Sequence, residues 1–538
     1  MRRNRDVGTS LIDRRCFVQK VALVVAGTAL GPSLMGCGVD LAIPCLGPAP
    51  APVPVAGMTY IRASQIGCAL DCNLENGRNK YTGGTATDDG PRINAAMAGA
   101  TASNPITLII DGSALISGLF LPAAGHWSIA GLGCGTGFFI KRGTNNDGIH
   151  NGVPNAAVPS DPGPPAPARG MNVSLSNFTL NGNQGSGRNG DSTTGTRQGT
   201  TTTWYFGINL MNLDNINIEN VVVVNTPAYH IRLSNVGNVT VSGCVMRSTG
   251  INTDGLHFDG PANDIAISNC DFTAGDDAIA LNCPEGYTGD ISRVEVANCT
   301  FRSLTLMRLY TVTIFGGPKF NIDTVKVSNC TGVFESCAFL IGTYKISNPN
   351  SVTNLTISDC SLTAPTVLDI SVNFGTIALS NVTLVPFDSN RAPGFAFVRT
   401  GLVYKGMTYV GSSLSIDNCV ISNNGDSAVA ALILENGSTI HNLQFNGFAV
   451  SDSAPELLNI LSGSIGQLTL DAVASTHIKT PVSPGGFSSI DSVCGAGVLA
   501  TGWEFPDAVM ANGVPYISAN SGLPSIKVGG VVEPYPQA

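Results

Sequence analysis

The chain has 538 residues, of which 43% are hydrophobic and 12% charged, with a formal net charge of −9. That length gives ample core for one elongated repeat domain or two to three globular ones, and so much apolar material excludes disorder. The charged share is about half the usual one, which argues against helical surfaces rich in Glu and Lys, and the acidic balance argues against nucleic acid or docking on anionic membranes.

Residues 1–36 read as an address. Asp13-Arg14-Arg15-Cys16-Phe17-Val18-Gln19-Lys20 resembles a bacterial twin-arginine export signal, and the apolar stretch from Val21 to Met35 is too short and broken to span a bilayer. It ends in Leu34-Met35-Gly36-Cys37, which resembles a lipoprotein processing box with Cys37 as the lipidated residue; the alternative is a soluble secreted protein. Removing residues 1–36 leaves 22 basic and 35 acidic residues, a formal charge of −13. Residues 37–56 form a Pro/Ala-rich linker, and a repeat domain is expected over 57–460.

Thr87-Asp88-Asp89-Gly90-Pro91 leads into Ile93-Asn94-Ala95-Ala96-Met97, a capping residue and a Pro at the start of a short amphipathic helix that closes one end of the domain. Asp88 and Asp89 are then turn or capping residues. Cys68 and Cys72 are disulfide candidates, and the Pro- and Gly/Ser/Asn-rich stretches between Asn145 and Thr203 read as long loops.

From there the repeat takes over. Cys244, Cys270, Cys299, Cys330 and Cys360 lie 26–31 residues apart, each closing a phrase such as Val-Lys-Val-Ser-Asn-Cys. Such spacing is a ladder of small buried side chains, one per coil, with neither bridges nor zinc ligands. Period-2 strands between Asn/Gly/Asp turns, with no helix between them, predict an all-β fold: a single-stranded right-handed parallel β-helix with a short N-terminal capping helix. After Val385 the phrase loosens, and 461–538 are expected to be irregular C-terminal coils or a cap.

Asn252-Thr253-Asp254-Gly255 is followed one repeat later by Gly275-Asp276-Asp277. Aligning the apolar pairs Ile231/Leu233, Leu256/Phe258, Ile279/Leu281 and Met307/Leu309 stacks Tyr229, Asp254, Asp277 and Thr305 in one column. Coils repeat about every 4.8 Å, so Asp254 and Asp277 are expected to share one water, with Asp276 at the turn facing the leaving oxygen of a bound sugar. Mutual repulsion is expected to raise at least one of the three pKa values. Arg232, His257, Ala280 and Arg308 share an outward column beside the carboxylates, and Ser234, Asp259, Asn282 and Tyr310 the next. Asn252, Arg232, His257, Asp259, Arg308 and Tyr310 are therefore candidates for substrate binding. Tyr229 and His230 are weaker candidates, and His126, His150, His441 and His477 have no register argument.

From Asn225-Thr226-Pro227 through Asn252-Thr253-Asp254-Gly255 to Gly275-Asp276-Asp277-Ala278-Ile279-Ala280 the sequence resembles glycoside hydrolase family 28, the polygalacturonase family of the pectin/pectate lyase superfamily, with a core at about 171–372. The resemblance implies hydrolysis with inversion, Asp276 as general acid, Asp254 and Asp277 activating water, and no cofactor or metal. Two family features are absent: Thr305 stands where a Gly-His-Gly histidine is expected, and no Arg-Ile-Lys phrase is found. A pectin-like or other glycan, acidic ones included, is therefore expected in place of polygalacturonic acid itself. Two alternatives stay open, a polysaccharide lyase on the same solenoid and a non-catalytic glycan-binding surface lipoprotein. The expected partner is a polysaccharide, with membrane contact only through the lipid on Cys37, and the expected state is a monomer.

Overall fold

The computed structural model describes residues 43–44, 47–152, 166–186, 205–250, 252–311, 320–342, 351–386, 396–400, 408–422, 430–451, 454–473, 478–495, 504–505, 526–528 and 531–533. The chain divides into two units, Met1–Ile43 and Pro44–Ala538, and everything below concerns the second. The expected export signal and the expected lipid-bearing Cys37 lie outside the described residues.

The second unit is a right-handed parallel β-helix, with a 23-stranded and a 12-stranded sheet running along it. Long strands such as Ile231–Ser242 and Leu256–Ser268 each serve two faces. The register between these two slips between Ser234 and Val236. On the far side of that corner, Leu256–Ser268 changes partner from Asp277–Asn282 to Ile291–Ala297. One strand therefore carries the functional face in its first half and a structural face in its second.

The repeated Ser-Asn-Cys phrase explains the next corner. Asn269, Asn298, Asn329, Asp359 and Asn418 all adopt φ between +50 and +57°, a left-handed conformation that Asn and Asp tolerate better than other side chains. The cysteine after each turn points inward, buried and unbridged. Its thiol donates to the carbonyl two residues earlier, as Cys299 does to Ala297 at 3.3 Å and Cys360 to Ser358 at 3.1 Å.

Inside, the aliphatic pairs stack as the alternation predicts. Ile231 pairs with Leu256, Leu256 with Ile279 and Ile279 with Met307, and all four are wholly buried. Each such side chain contributes about 1.5–3 kcal/mol, and one per coil on each inner face makes the solenoid a stiff frame.

At the N-terminal end the helix Gly90–Met97 begins with Pro at its first turn and packs Ile93 and Met97 into the core. Asp89 does not cap it through its side chain. Its carboxylate accepts instead from the backbone N–H groups of Ala69 (2.7 Å) and Leu70 (3.0 Å), while Asp88 accepts from those of Gly90 and Ser117. The expected pairing of Cys68 with Cys72 is not formed: both are free. Cys68 faces the main core, whereas Cys72 packs in a separate cluster with Leu115 and Phe139. Cys134 is disulfide-bonded. At the other end, Ala454–Asp471 and Ile478–Gly495 continue the parallel pairing, so regular rungs run past residue 460 into the region expected to be irregular.

Candidate active site

Two glycines bring the turns bearing the carboxylates together. A Cβ on Gly275 would lie 2.0 Å from the Gly250 carbonyl oxygen, and one on Gly255 would lie 2.4 Å from that of Ala278. Thr253 fastens the two turns: its hydroxyl donates to the Gly250 carbonyl (2.8 Å) and accepts from the Gly275 N–H (2.9 Å). Asn252, a candidate for substrate binding, is a partly exposed turn residue with φ +62°. The motif residues around the carboxylates thus hold two successive turns at contact distance.

On that base Asp254, Asp276 and Asp277 converge, each offering an oxygen within 4.8 Å of the others. Asp254 and Asp277 are buried and Asp276 is partly exposed. The expected column is present, with Asp277 beside Thr305. The Thr305 hydroxyl donates to Asp277 Oδ1 at 2.7 Å, and Arg308 Nη1 stands 3.7 Å from Oδ2. Asp254 is held by His257, whose Nδ1 lies 2.7 Å from Oδ2. Burial raises the Asp254 carboxyl to about 6, opposed by the hydrogen bond and charge of His257, with repulsion from Asp277 a smaller contribution. The expected rise therefore occurs, but desolvation leads it, and it falls on a residue read as a base.

The two outward columns have the expected register. Arg232 pairs with His257, His257 with Ala280 and Ala280 with Arg308; Ser234, Asp259, Asn282 and Tyr310 line up likewise. Their exposure differs from expectation. Arg232, His257, Asp259 and Tyr310 are 3% exposed or less, so direct substrate contact does not follow from their outward register. Arg232 is bound to the Asp259 carboxylate. Gly286 lies over Asp259 and Ser234, closely enough that a Cβ there would meet both side chains at 2.6 Å. Arg308 keeps partial exposure, with its guanidinium 4.7 Å from the centre of the Tyr310 ring. Tyr229 stacks between Phe206 and His257, and His230 is buried with Nδ1 2.7 Å from the Asp254 carbonyl.

Sequence reasoning missed Glu285, whose Oε2 lies 3.1 Å from His257 Nε2. It sits in the loop after the strand Asp277–Asn282, where strand register gives no position. It also missed Asp147 and His150, which occupy the same columns as Asp254 and His257 three rungs earlier. The signal was there, since Asp147-Gly148-Ile149-His150 repeats Asp254-Gly255-Leu256-His257.

Two groups of side chains are compact enough to surround a cation: the three aspartates, and His257 with Asp259 and Glu285. In each, a basic side chain of the protein faces carboxylates. Arg308 lies against Asp277, and His257 itself lies between Asp259 and Glu285.

Residues 167–367 match the family model of glycosyl hydrolases family 28. The matched segment contains all three carboxylates and supports a glycoside hydrolase. No curated protein matches the chain. Among solved structures, a family 28 exopolygalacturonase from Yersinia enterocolitica is 11% identical, with 77% of this chain and 78% of that one covered at a TM-score of 0.51. A hyperthermoactive exopolygalacturonase from Thermotoga maritima is 13% identical over 75% of this chain and 94% of its own, also at 0.51. A mutant tailspike protein of E. coli bacteriophage HK620, solved with a hexasaccharide, is 9% identical over 88% and 78% at 0.55. At such identities these three share the fold with this chain.

Proposed function

We propose that the protein is an exported polysaccharide hydrolase that cleaves glycosidic bonds with inversion, Asp276 being the general acid and Asp254 with Asp277 activating water. The observation that carries this reading is the convergence of three carboxylates within 4.8 Å on a stiff ladder, inside the segment that matches family 28. Asp277, held by Thr305 and Arg308, and Asp254, held by His257, are the pair assigned here to the attacking water. Asp276, more exposed, protonates the leaving oxygen.

The 4.8 Å limit applies to one oxygen of each carboxylate, a different measure from the roughly 6.5–9.5 Å between the two carboxyls of inverting enzymes. Support for inversion therefore comes from the family motifs. Arg232 and Arg308 both face protein carboxylates, which favours a glycan other than polygalacturonate. We further propose export through the twin-arginine signal, lipid attachment at Cys37 and action as a monomer. Mass analysis of the mature N-terminal peptide, compared with Cys37→Ser, tests the attachment.

The function is tested by incubating wild type and Asp276→Asn with a polysaccharide panel. Reducing ends are expected from wild type alone, with the anomer of the first product inverted in proton NMR. An unsaturated product absorbing in the ultraviolet would replace the hydrolase with a lyase. Binding without product would replace it with a glycan-binding protein.

A further inference from the structure

His257 has more anionic neighbours than any structural need explains. Its Nδ1 lies 2.7 Å from Asp254 Oδ2, while its Nε2 lies 3.1 Å from both Asp259 Oδ1 and Glu285 Oε2. Ionised carboxylates only accept hydrogen bonds. Three of them around two ring nitrogens are satisfied together only when both nitrogens carry protons. The ring also stacks on Tyr229, with centroids 4.0 Å apart and planes at 7°, a face that favours a cation.

We propose that His257 is a positioning residue, an imidazolium fixed by Asp259 and Glu285 that orients Asp254 and keeps it ionised as the base of the hydrolytic reaction. This rests on the reading of Asp254 as a base. It also accounts for the position where the family motif lacks its histidine: Thr305 there provides a neutral donor to Asp277, and the positive charge beside Asp254 comes from the neighbouring column.

The groups facing His257 come from four elements. Asp254 belongs to the preceding turn, Asp259 to its own strand, Glu285 and Asn282 to the following coil and Tyr229 to the preceding one. Arg232, from the preceding strand, engages Asp259, and Arg308 acts on Glu285 as well as on Asp254. Arg308 and Asp277 act on Asp254 from the next coils, lowering and raising its carboxyl respectively. On His257, burial works against protonation, and the hydrogen bonds its ring donates to Asp254, Asp259 and Glu285 outweigh it, holding the ring well above its ordinary value. On Glu285, burial is likewise outweighed, by His257 first, so that its carboxyl is held at about 2.

The sign for activity follows. A base must be ionised, so kcat/KM rises as pH climbs through the Asp254 value near 6. Removing the imidazolium removes what opposes burial, and the acidic limb moves upward. His257→Gln is expected to shift it by about one unit or more, as an opposite charge at this range does, and Glu285→Gln by about half that. At pH 6 the His257→Gln variant then loses about fivefold in kcat/KM for a one-unit shift and recovers most of it at pH 8, a recovery that a misfolded site would not give.

The experiment combines these profiles with nitrogen-15 NMR of histidine-labelled wild type. His150, bound to Asp147 through Nδ1 but with no hydrogen-bond partner at Nε2, serves as the internal comparison. Both His257 nitrogens are expected to be protonated at pH 7.5, with acidic limbs displaced upward in both variants. A neutral His257 ring at pH 6, or limbs that stay in place in both variants, would overturn the proposal. So would a Zn²⁺-dependent shift of the His257 Nε2 resonance, which would make the cluster a metal site. If no glycan is cleaved at all, the function fails while the NMR still decides whether the imidazolium exists.

Discussion

Asp147-Gly148-Ile149-His150 and Asp254-Gly255-Leu256-His257 are two copies of one local structure with different surroundings. In both, the aspartate ends a turn, the histidine lies three residues on in the outward column, and Nδ1 meets Oδ2, at 3.0 Å in the first and 2.7 Å in the second. In the first copy the Asp147 carboxylate is taken up by neutral donors, the Phe206 N–H at 2.8 Å and the Asn209 amide at 2.8 Å. Its own column then continues with Phe206 and Tyr229, two stacked rings. In the second copy, the following coil supplies Asp276 and Asp277, and the loop beyond it supplies Glu285. The Asp–His pair is thus a structural unit that the solenoid can build at any rung. Chemistry begins where adjacent rungs supply further carboxylates.

That contrast breaks first, and most heavily, at the carboxylates. Asp276→Asn is expected to lower kcat by about 10³-fold, within the usual range for a general acid. Asp254→Asn should be comparable, whereas Asp147→Asn should keep activity within about twofold while lowering the denaturation midpoint, since it disturbs only a structural hydrogen-bond set. Rates on the responsive glycan, with circular dichroism as a fold control, check all three. Equal losses at Asp147 and Asp254 would mean that the two copies share the chemistry.

Next in size is the contact that sets the catalytic turns apart. Gly275→Ala puts a Cβ 2.0 Å from the Gly250 oxygen, backbone that cannot yield cheaply. A loss of about 3 kcal/mol is expected from urea unfolding. Gly99→Ala, where a Cβ meets nothing within 4 Å, should change stability little. Smaller again is Thr305→Val, which removes one hydroxyl donor to Asp277 while keeping shape. Hydrogen bonds to charged groups contribute about 1.5–3 kcal/mol, so kcat should fall by about tenfold or somewhat more, with KM nearly unchanged.

Much of this was legible in the sequence because the solenoid converts spacing into position. Once Ile231, Leu256, Ile279 and Met307 are aligned, the columns of Asp254, Asp277 and Thr305 and of Arg232, His257 and Arg308 follow, and the strand pairing agrees residue by residue. Burial was not legible. Register says that Arg232 and Asp259 point outward, but not that the loop at Gly286 closes over Asp259. Glu285 was invisible for the same reason, because a loop residue has no rung to align to. His150 has no rung argument as a single residue, although its whole four-residue phrase recurs at Asp254. The Cys68–Cys72 pairing failed because closeness in sequence says nothing about which of two clusters a side chain faces.

The smallest effect belongs to the frame that both copies share. Asn298 holds φ +57° at the corner before Cys299, on the rung after the catalytic turns, and it is exposed. Alanine in that conformation brings its Cβ against the following carbonyl oxygen, a cost of about 1–2 kcal/mol that Asn offsets in part. Asn298→Ala should therefore lower stability by about 1 kcal/mol, whereas Asn298→Gly, free of that clash, should stay within a few tenths. Activity should be unchanged in both, because the corner lies on the structural half of the coil while the carboxylates sit on the other. A loss of activity with unchanged stability would mean that the rungs transmit corner geometry to the site, and the stiffness attributed to the aliphatic ladder would have to be abandoned.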